Sequence, residues 1–225
     1  MKAIFLGLIT VLLLAATQLS AQTNQTIQEL KANAEKGDAD AQLSLGLRYY
    51  GGVGVTNDDV EALKWIRKAA DQNYADAQYF LGFSYEIGIG VAEDKVEAVN
   101  WYRKAADQGN AKAQYNLGYC YHNGKGVTQD DGEAAKWFRK AAEQGDASSE
   151  NILGACYAIG EGVPRDFVEA YKWRNLAAAQ GETNAVEARD ALEHLMTPAQ
   201  IADAQKLSRE FQPHKESASG NSSSP

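Results

Sequence analysis

The chain has 225 residues, of which 44% are hydrophobic and 23% charged, an ordinary globular composition with room for one large domain or two small ones. Its formal net charge of −8 excludes the overall basic character with which proteins bind nucleic acid or anionic lipid. Two cysteines are too few for a scaffold held together by disulfides.

The N-terminus has the three parts of a secretory signal peptide. Lys2 supplies a positive charge, residues 4–16 form an apolar run, and residues 19–21 (Leu-Ser-Ala) fit a cleavage site. The apolar run is shorter than the roughly 20 residues that a spanning helix needs. We therefore expect residues 1–21 to be removed and the mature protein to be periplasmic or secreted, without a membrane span. An uncleaved N-terminal anchor is the alternative.

Four copies of one unit follow, at residues 39–74, 75–110, 111–146 and 147–182, without an insertion. Fourteen of the 36 positions hold one residue type in all four copies, which chance does not produce. Such an array predicts stacked structural repeats. Residues 22–38 keep part of the pattern but lack its tryptophan, so we predict an N-terminal capping helix there.

The first half of each unit predicts a helix followed by a glycine turn. In the third copy, Leu117 and Tyr121 lie four residues apart on one helix face. Gly118 costs a helix about 1 kcal/mol relative to alanine, so its presence in every copy predicts two helices that cross too closely for a Cβ. The Gly-Lys-Gly at residues 124–126 suits a turn with positive φ.

The second half of each unit predicts a helix that opens with a capping box. Asp130 precedes Glu133 by three residues, so we expect the aspartate to cap the helix and the glutamate to accept from the aspartate N–H. Trp137 and the alanines after it form a narrow apolar stripe. Gly145 is expected to end the helix in the left-handed conformation, and Asn73 takes that role in the first copy.

Beyond the fourth unit the pattern becomes irregular. Residues 183–211 are predicted to form C-terminal capping helices, the last with Thr197 as N-cap, Pro198 at the first position and Gln200 completing a capping box. The polar residues 212–225 are predicted to be disordered.

The repeated pattern A-x-A-Q-x-x-L-G-x-x-Y-x-x-G-x-G-V-x-x-D-x-x-E-A-x-x-W-x-R-K-A-A-x-Q-G resembles the Sel1-like repeat of the tetratricopeptide-repeat-like superfamily. The resemblance covers residues 39–182 and implies an all-α fold, a right-handed α-solenoid of helix-turn-helix repeats between capping helices. In such a solenoid the first helices of the repeats line a concave surface.

The resemblance also implies a function. Family members are mostly adaptors that scaffold complexes in the cell envelope, in signalling or at host contacts, and some cysteine-rich secreted relatives bind β-lactams. We therefore expect a non-catalytic adaptor that is monomeric by itself and binds a protein or peptide. The alternatives are an envelope enzyme or β-lactam-binding protein of the cysteine-rich type, and a purely structural spacer within a larger assembly.

The glycines, tyrosines and tryptophans that recur in every copy are interpreted as structural, because identity throughout an array indicates a shared core. These residues are Gly46, Tyr49, Trp65, Gly82, Tyr85, Trp101, Gly118, Tyr121, Trp137, Gly154, Tyr157 and Trp173.

Specific chemistries lack their signatures in the sequence. Lys125 stands between two glycines without the spacing or the preceding strand of a phosphate-binding loop. Cys120 and His122 are two apart on a helix and point to different faces, so no catalytic residue is predicted. No His-x3-His or Cys-x2-Cys pair is present, so no metal site or cofactor is predicted. Cys120 and Cys156 are expected to be free thiols, with a disulfide between them left open.

Function is instead expected where the copies differ, along one stripe of the first helices that we call the variable stripe. The candidate binding residues are Asp76, Phe80, Phe83, Ile87, Lys112, Asn116, Tyr119, Asn123, Ile152 and Ile159, with Ser148 and Ala155 between the last two. An apolar stripe with aromatic and amide side chains is typical of a groove for a peptide or helix. The alternative is that Phe80, Phe83 and Ile152 pack between helices.

Overall fold

A computed structural model describes residues 26–214 and is helical throughout that range. The predicted signal peptide and residues 215–225 of the predicted tail lie outside the described residues. The helix before the array, α1, covers residues 26–35. The later helices are α2 (Ala39–Gly51), α3 (Asp59–Asp71), α4 (Ala75–Ile87), α5 (Lys95–Asp107), α6 (Ala111–Asn123), α7 (Asp131–Glu143), α8 (Ala147–Ile159), α9 (Phe167–Ala179), α10 (Thr183–Glu193) and α11 (Pro198–Glu210).

From α2 to α10 each helix packs chiefly on its neighbours along the chain, and the contact is most extensive between the two helices of one repeat. This is the packing of a solenoid, and the all-α repeat architecture predicted from the sequence is confirmed. None of the described helices has the length and apolar character needed to cross a membrane.

The glycine inside each first helix marks a close helix crossing, as predicted. A Cβ on Gly118 would lie 2.9 Å from Phe138 Cδ1 and 3.2 Å from the Ala134 carbonyl oxygen. Both atoms belong to α7, the partner helix in the same repeat. The other three copies are equally tight at the equivalent glycine.

The second glycine of each turn joins one repeat to the repeat before it. Gly126 has a φ of 68°, and a Cβ at this position would overlap the Lys95 carbonyl group at the start of α5. Gly162 lies in the same way against the Asp131 carbonyl at the start of α7. In the second, third and fourth repeats the backbone of the turn therefore lies against the first residue of the preceding second helix.

The aspartates cap the second helices as predicted, but the glutamate half of the capping box is wrong. Asp58 accepts from the backbone N–H of Glu61 at 2.9 Å. Its own N–H donates to the carbonyl oxygen of Tyr49 at the end of the first helix, which closes the turn. The Glu61 carboxylate consequently turns along its own helix and accepts from the Trp65 indole N–H at 2.9 Å.

The repeated tryptophans and tyrosines pack within and between the repeats. The four tryptophans are at most 9% exposed. A lysine ammonium lies over each indole ring, 3.7–4.3 Å from the ring centroid. The tyrosine rings are half-buried or buried, and arginines bind three of their hydroxyls across the repeat boundary. Arg103, for example, donates to the Tyr121 hydroxyl at 2.6 Å.

Hydrogen bonds between side chains of the two helices in each repeat form a second periodic feature, which we call the glutamine ladder. Its first-helix members are Gln42, Gln78, Gln114 and Glu150, and its second-helix members are Gln72, Gln108, Gln144 and Gln180. Within each repeat the second-helix amide donates to the first-helix side chain. The three first-helix glutamines also donate to a carbonyl of the unit before them, as Gln114 does to Ala106 at 3.1 Å.

The C-terminal end departs from the array because α11 packs on α9 rather than pairing with α10. Thr197 and Gln200 form the predicted capping box, with both halves present. Phe211 lies edge-on against Trp173, with ring centroids 5.3 Å apart. The backbone N–H of His214 donates to the Glu143 carbonyl at 2.8 Å, so ordered chain extends past the predicted boundary at residue 212.

Candidate functional site

The variable stripe is accessible along its whole length. Phe80, Phe83, Asn116, Tyr119 and Ile152 are half-buried, while Asp76, Ile87, Lys112, Asn123 and Ile159 are exposed. The two isoleucines at the helix ends are among the most exposed large apolar side chains, with exposures of 48% and 68%. Side chains that vary between copies are thus open to contact, whereas the repeated leucines between them are fully buried.

The alternative, that the aromatic residues of the stripe serve packing, holds in part. Phe80 packs partly against the core between the first and second repeats, and Phe83 against the core between the second and third. Phe80 also meets Tyr79 edge-on at 5.2 Å between ring centroids. Each phenylalanine therefore has one face in the core and one face open.

Contacts within the second and third repeats hold part of the stripe in place. Lys125 lies over the Tyr119 ring, with its ammonium 4.6 Å from the centroid, and donates to the Tyr119 hydroxyl at 3.4 Å. The Asn123 amide donates to the Tyr119 carbonyl at 2.9 Å. Asp76 accepts from the Asn110 amide at 2.7 Å, which links neighbouring first helices.

Both cysteines are buried free thiols in positions equivalent between α6 and α8. Burial, with a smaller contribution from nearby carboxylates, raises the pKa of Cys120 and that of Cys156 to about 11. At neutral pH both sulfurs are therefore protonated and poorly nucleophilic. Neither shows the features of a catalytic cysteine.

Three ligand-bearing side chains converge where the third repeat meets the fourth, although no metal site was predicted. His122 lies near the end of α6, Asp131 begins α7, and Glu161 lies in the glycine turn after α8. The His122 Nδ1 atom is 3.0 Å from Asp131 Oδ1 and 3.9 Å from Glu161 Oε1. All three side chains are half-buried, and one atom from each lies within 4.8 Å of the others.

Ligand-spacing rules miss this cluster because its members come from two repeats. The signal lies in the repeat register, since each turn rests on the preceding second helix. At the equivalent junction between the second and third repeats the three positions hold Glu86, Lys95 and Lys125. At the first junction they hold Tyr50, Asp59 and Ile89. The combination of one histidine and two carboxylates is thus particular to the third junction.

An open groove of about 640 Å³ lies beside the last repeat. It is lined by aromatic and by oppositely charged side chains, among them Trp173, Phe211, Arg165 and Glu143. Because cations and carboxylates alternate around it, the groove favours neither an anion nor a cation.

Comparison with known proteins gives four matches to the Sel1 repeat, at residues 39–74, 75–110, 111–146 and 147–182. Among curated proteins, the chain is similar to the secretory immunoglobulin A-binding protein EsiB of Escherichia coli O6:H1. The two are 46% identical over 69 residues, which is 31% of this chain and 14% of EsiB.

Solved structures of similar chains show the same architecture. A Sel1 repeat protein from Oxalobacter formigenes is 40% identical to this chain, with a TM-score of 0.71. The match covers 77% of this chain and 50% of the Oxalobacter chain. The protective antigen c5321 of uropathogenic Escherichia coli, which displays an SLR fold, has a TM-score of 0.56 and 32% identity over 84% of this chain and 48% of its own. This chain therefore spans about half the length of these two solved chains. With its four matched repeats covering more than half of the sequence, the chain belongs to the Sel1 repeat family.

Proposed function

We propose that this chain is a non-catalytic, exported interaction module that binds a segment of another protein along the variable stripe. The observation that carries the proposal is the division of the first helices into two sets of residues. The leucine and glycine that all four first helices share are buried, whereas the residues of the variable stripe form an accessible row. Variation on an accessible surface, over a uniform core, is how repeat proteins present a binding face.

The chemistry of the stripe changes from one repeat to the next and indicates the kind of partner. In α4 it offers Phe80, Phe83 and Ile87, in α6 it is polar around Tyr119, and in α8 it is aliphatic. A segment with apolar anchors at both ends and hydrogen-bonding groups in the middle would complement it. The exposed Lys112 ammonium would favour an acidic residue near the centre of that segment.

Relatives support protein binding in general and suggest one probe. EsiB is named for binding secretory immunoglobulin A, although its match covers a small part of that protein. Secretory immunoglobulin A is therefore the first defined ligand to test. The buried, protonated thiols of Cys120 and Cys156 support a non-catalytic role.

The test compares the double variant Phe83→Ala/Tyr119→Ala with the wild type in two measurements. One is surface plasmon resonance with secretory immunoglobulin A, and the other is recovery of proteins from the native envelope, identified by mass spectrometry. The matched control is Val60→Ala/Val96→Ala, which removes apolar side chains that are 56% and 57% exposed on the second helices. We expect a partner to be lost with the stripe variant and retained with the control.

Unchanged recovery of every partner by the stripe variant would contradict the proposed groove. The alternative function has its own measurement, because a β-lactam-binding protein would retain a fluorescent penicillin. Saturable retention of that compound, with no protein partner recovered, would favour the alternative.

A further inference from the structure

From the junction of the third and fourth repeats we infer that His122, Asp131 and Glu161 form a binding site for a divalent transition-metal ion, with Zn²⁺ as its best-fitting occupant. This inference is independent of the proposed partner binding. It rests on the residue types, on their convergence from three separate elements and on the comparison with the same positions elsewhere in the array.

The first argument is the ligand set. Zn²⁺ binds imidazole nitrogen at about 2.0–2.1 Å and carboxylate oxygen at about 2.0–2.2 Å, in tetrahedral sites whose donor atoms are consequently about 3.3 Å apart. The 3.0 Å separation of His122 Nδ1 and Asp131 Oδ1 is already close to that value. Glu161 Oε1, at 3.9 Å from the same nitrogen, needs only a small side-chain rotation.

The second argument is that the backbone places the ligands without help from an ion. Gly162 lies against the Asp131 carbonyl group so closely that a Cβ would overlap it. This contact sets Glu161, the preceding residue, beside the first residue of α7. His122 reaches the same point from the end of α6, where its Nδ1 contacts the Asp131 carboxylate. Two carboxylates are thus brought together with a single imidazole, an arrangement that a divalent cation would stabilise.

The third argument is the contrast within the chain. The same close glycine contact occurs one junction earlier, where Gly126 lies against the Lys95 carbonyl. The residues at the equivalent positions there are Glu86, Lys95 and Lys125, and two of the three are cations. A repeat array builds this junction three times, and only the third combines an imidazole with two carboxylates.

Three protein ligands on a half-exposed site leave at least one coordination position for water or for a side chain of a bound protein. A mixed imidazole and carboxylate set favours Zn²⁺ over Mg²⁺ and Ca²⁺, which prefer oxygen ligands alone.

Zinc binding to the full chain, purified without a polyhistidine tag, tests the inference by isothermal titration calorimetry. We expect one Zn²⁺ per chain, and we expect His122→Gln and Glu161→Gln each to weaken binding by at least about tenfold. Lys125→Gln, at the turn position equivalent to Glu161, and His194→Gln, at an exposed histidine, should bind like the wild type. Excess Mg²⁺ or Ca²⁺ should not displace the ion.

Equal zinc affinity of the wild type and His122→Gln would overturn the inference, as would displacement by Mg²⁺. Circular dichroism without metal establishes that the variants are folded. If a variant unfolds, the visible absorption spectrum of Co²⁺ added to the wild type tests the site instead. A visible spectrum distinct from that of the aqueous ion supports the site, and an unchanged aqueous spectrum overturns it.

Discussion

We expect Glu150 to make the stability of the last repeat depend on pH, because it occupies a buried position that is glutamine in the other three repeats. Its side chain is 1% exposed and accepts from the Gln180 amide at 2.9 Å. A carboxylate has no N–H with which to repeat the donation that Gln114 makes to the preceding repeat. Burial, with a smaller contribution from the nearby Asp146 and against the hydrogen bond from Gln180, raises the pKa of Glu150 from its ordinary 4.5 to about 7.

A carboxyl group whose pKa is raised by folding binds its proton more tightly in the folded state. The neutral form is therefore favoured at low pH, and stability is lost as the pH rises from 4.5 through about 7. At about 1.4 kcal/mol per unit of pKa, the full penalty for ionised Glu150 is about 3 kcal/mol. Most of it, about 2 kcal/mol, develops between pH 5 and pH 8.

The substitution Glu150→Gln should remove this dependence. Urea denaturation at pH 5 and pH 8 should show the variant gaining about 2 kcal/mol more over the wild type at pH 8 than at pH 5. The reverse change one repeat earlier, Gln114→Glu, should introduce the same dependence. The reasoning is refuted if the difference in the free energy of unfolding between Glu150→Gln and wild type is the same at both pH values.

Three further substitutions test the packing between helices and repeats. Arg174→Phe introduces the residue found at the equivalent position of the third repeat. Because the buried Nε of Arg174 lacks a hydrogen-bond partner, we expect urea denaturation to show a free energy of unfolding about 1–2 kcal/mol higher. Gly126→Ala should destabilise the protein by more than the roughly 1–2 kcal/mol that an alanine in the left-handed conformation costs, because the added Cβ would also overlap the Lys95 carbonyl. In Gly124→Ala the nearest atom would be 3.5 Å from the Cβ, so thermal unfolding should show the conformational cost alone. Asp130→Ala removes a helix cap and should cost about 1 kcal/mol, and a loss below a few tenths would contradict the assigned cap.

The repeated parts of the fold could be predicted from the sequence because the array serves as its own alignment. Gly118 allows a close helix crossing, Asp130 caps a helix and Gly145 adopts the left-handed conformation. Each recurs in every copy, or with one conservative change. Local physical rules were therefore sufficient for them.

Two features were not predictable in this way. The Asp58 N–H was expected to meet Glu61, but the structure pairs it with Tyr49 at the end of the preceding helix, and no local rule anticipates that contact. Likewise, α11 packs on α9 instead of forming a fifth pair, because its sequence no longer follows the repeat.

The same limit applies to the candidate sites. The variable stripe could be identified because helical periodicity places its residues on one face. The cluster of His122, Asp131 and Glu161 could not, because it requires the knowledge that a glycine turn rests on the preceding repeat.

The central claim, that the variable stripe contacts a partner, is tested most directly by site-specific photo-crosslinking in cells that naturally produce this protein. A photoreactive residue is placed at Phe83 or Tyr119 on the stripe, and at Val96 on the second helices as the control. We predict a discrete crosslinked partner from both stripe positions and none from Val96. Crosslinks from Val96 alone, or equally from all three positions, would contradict the account.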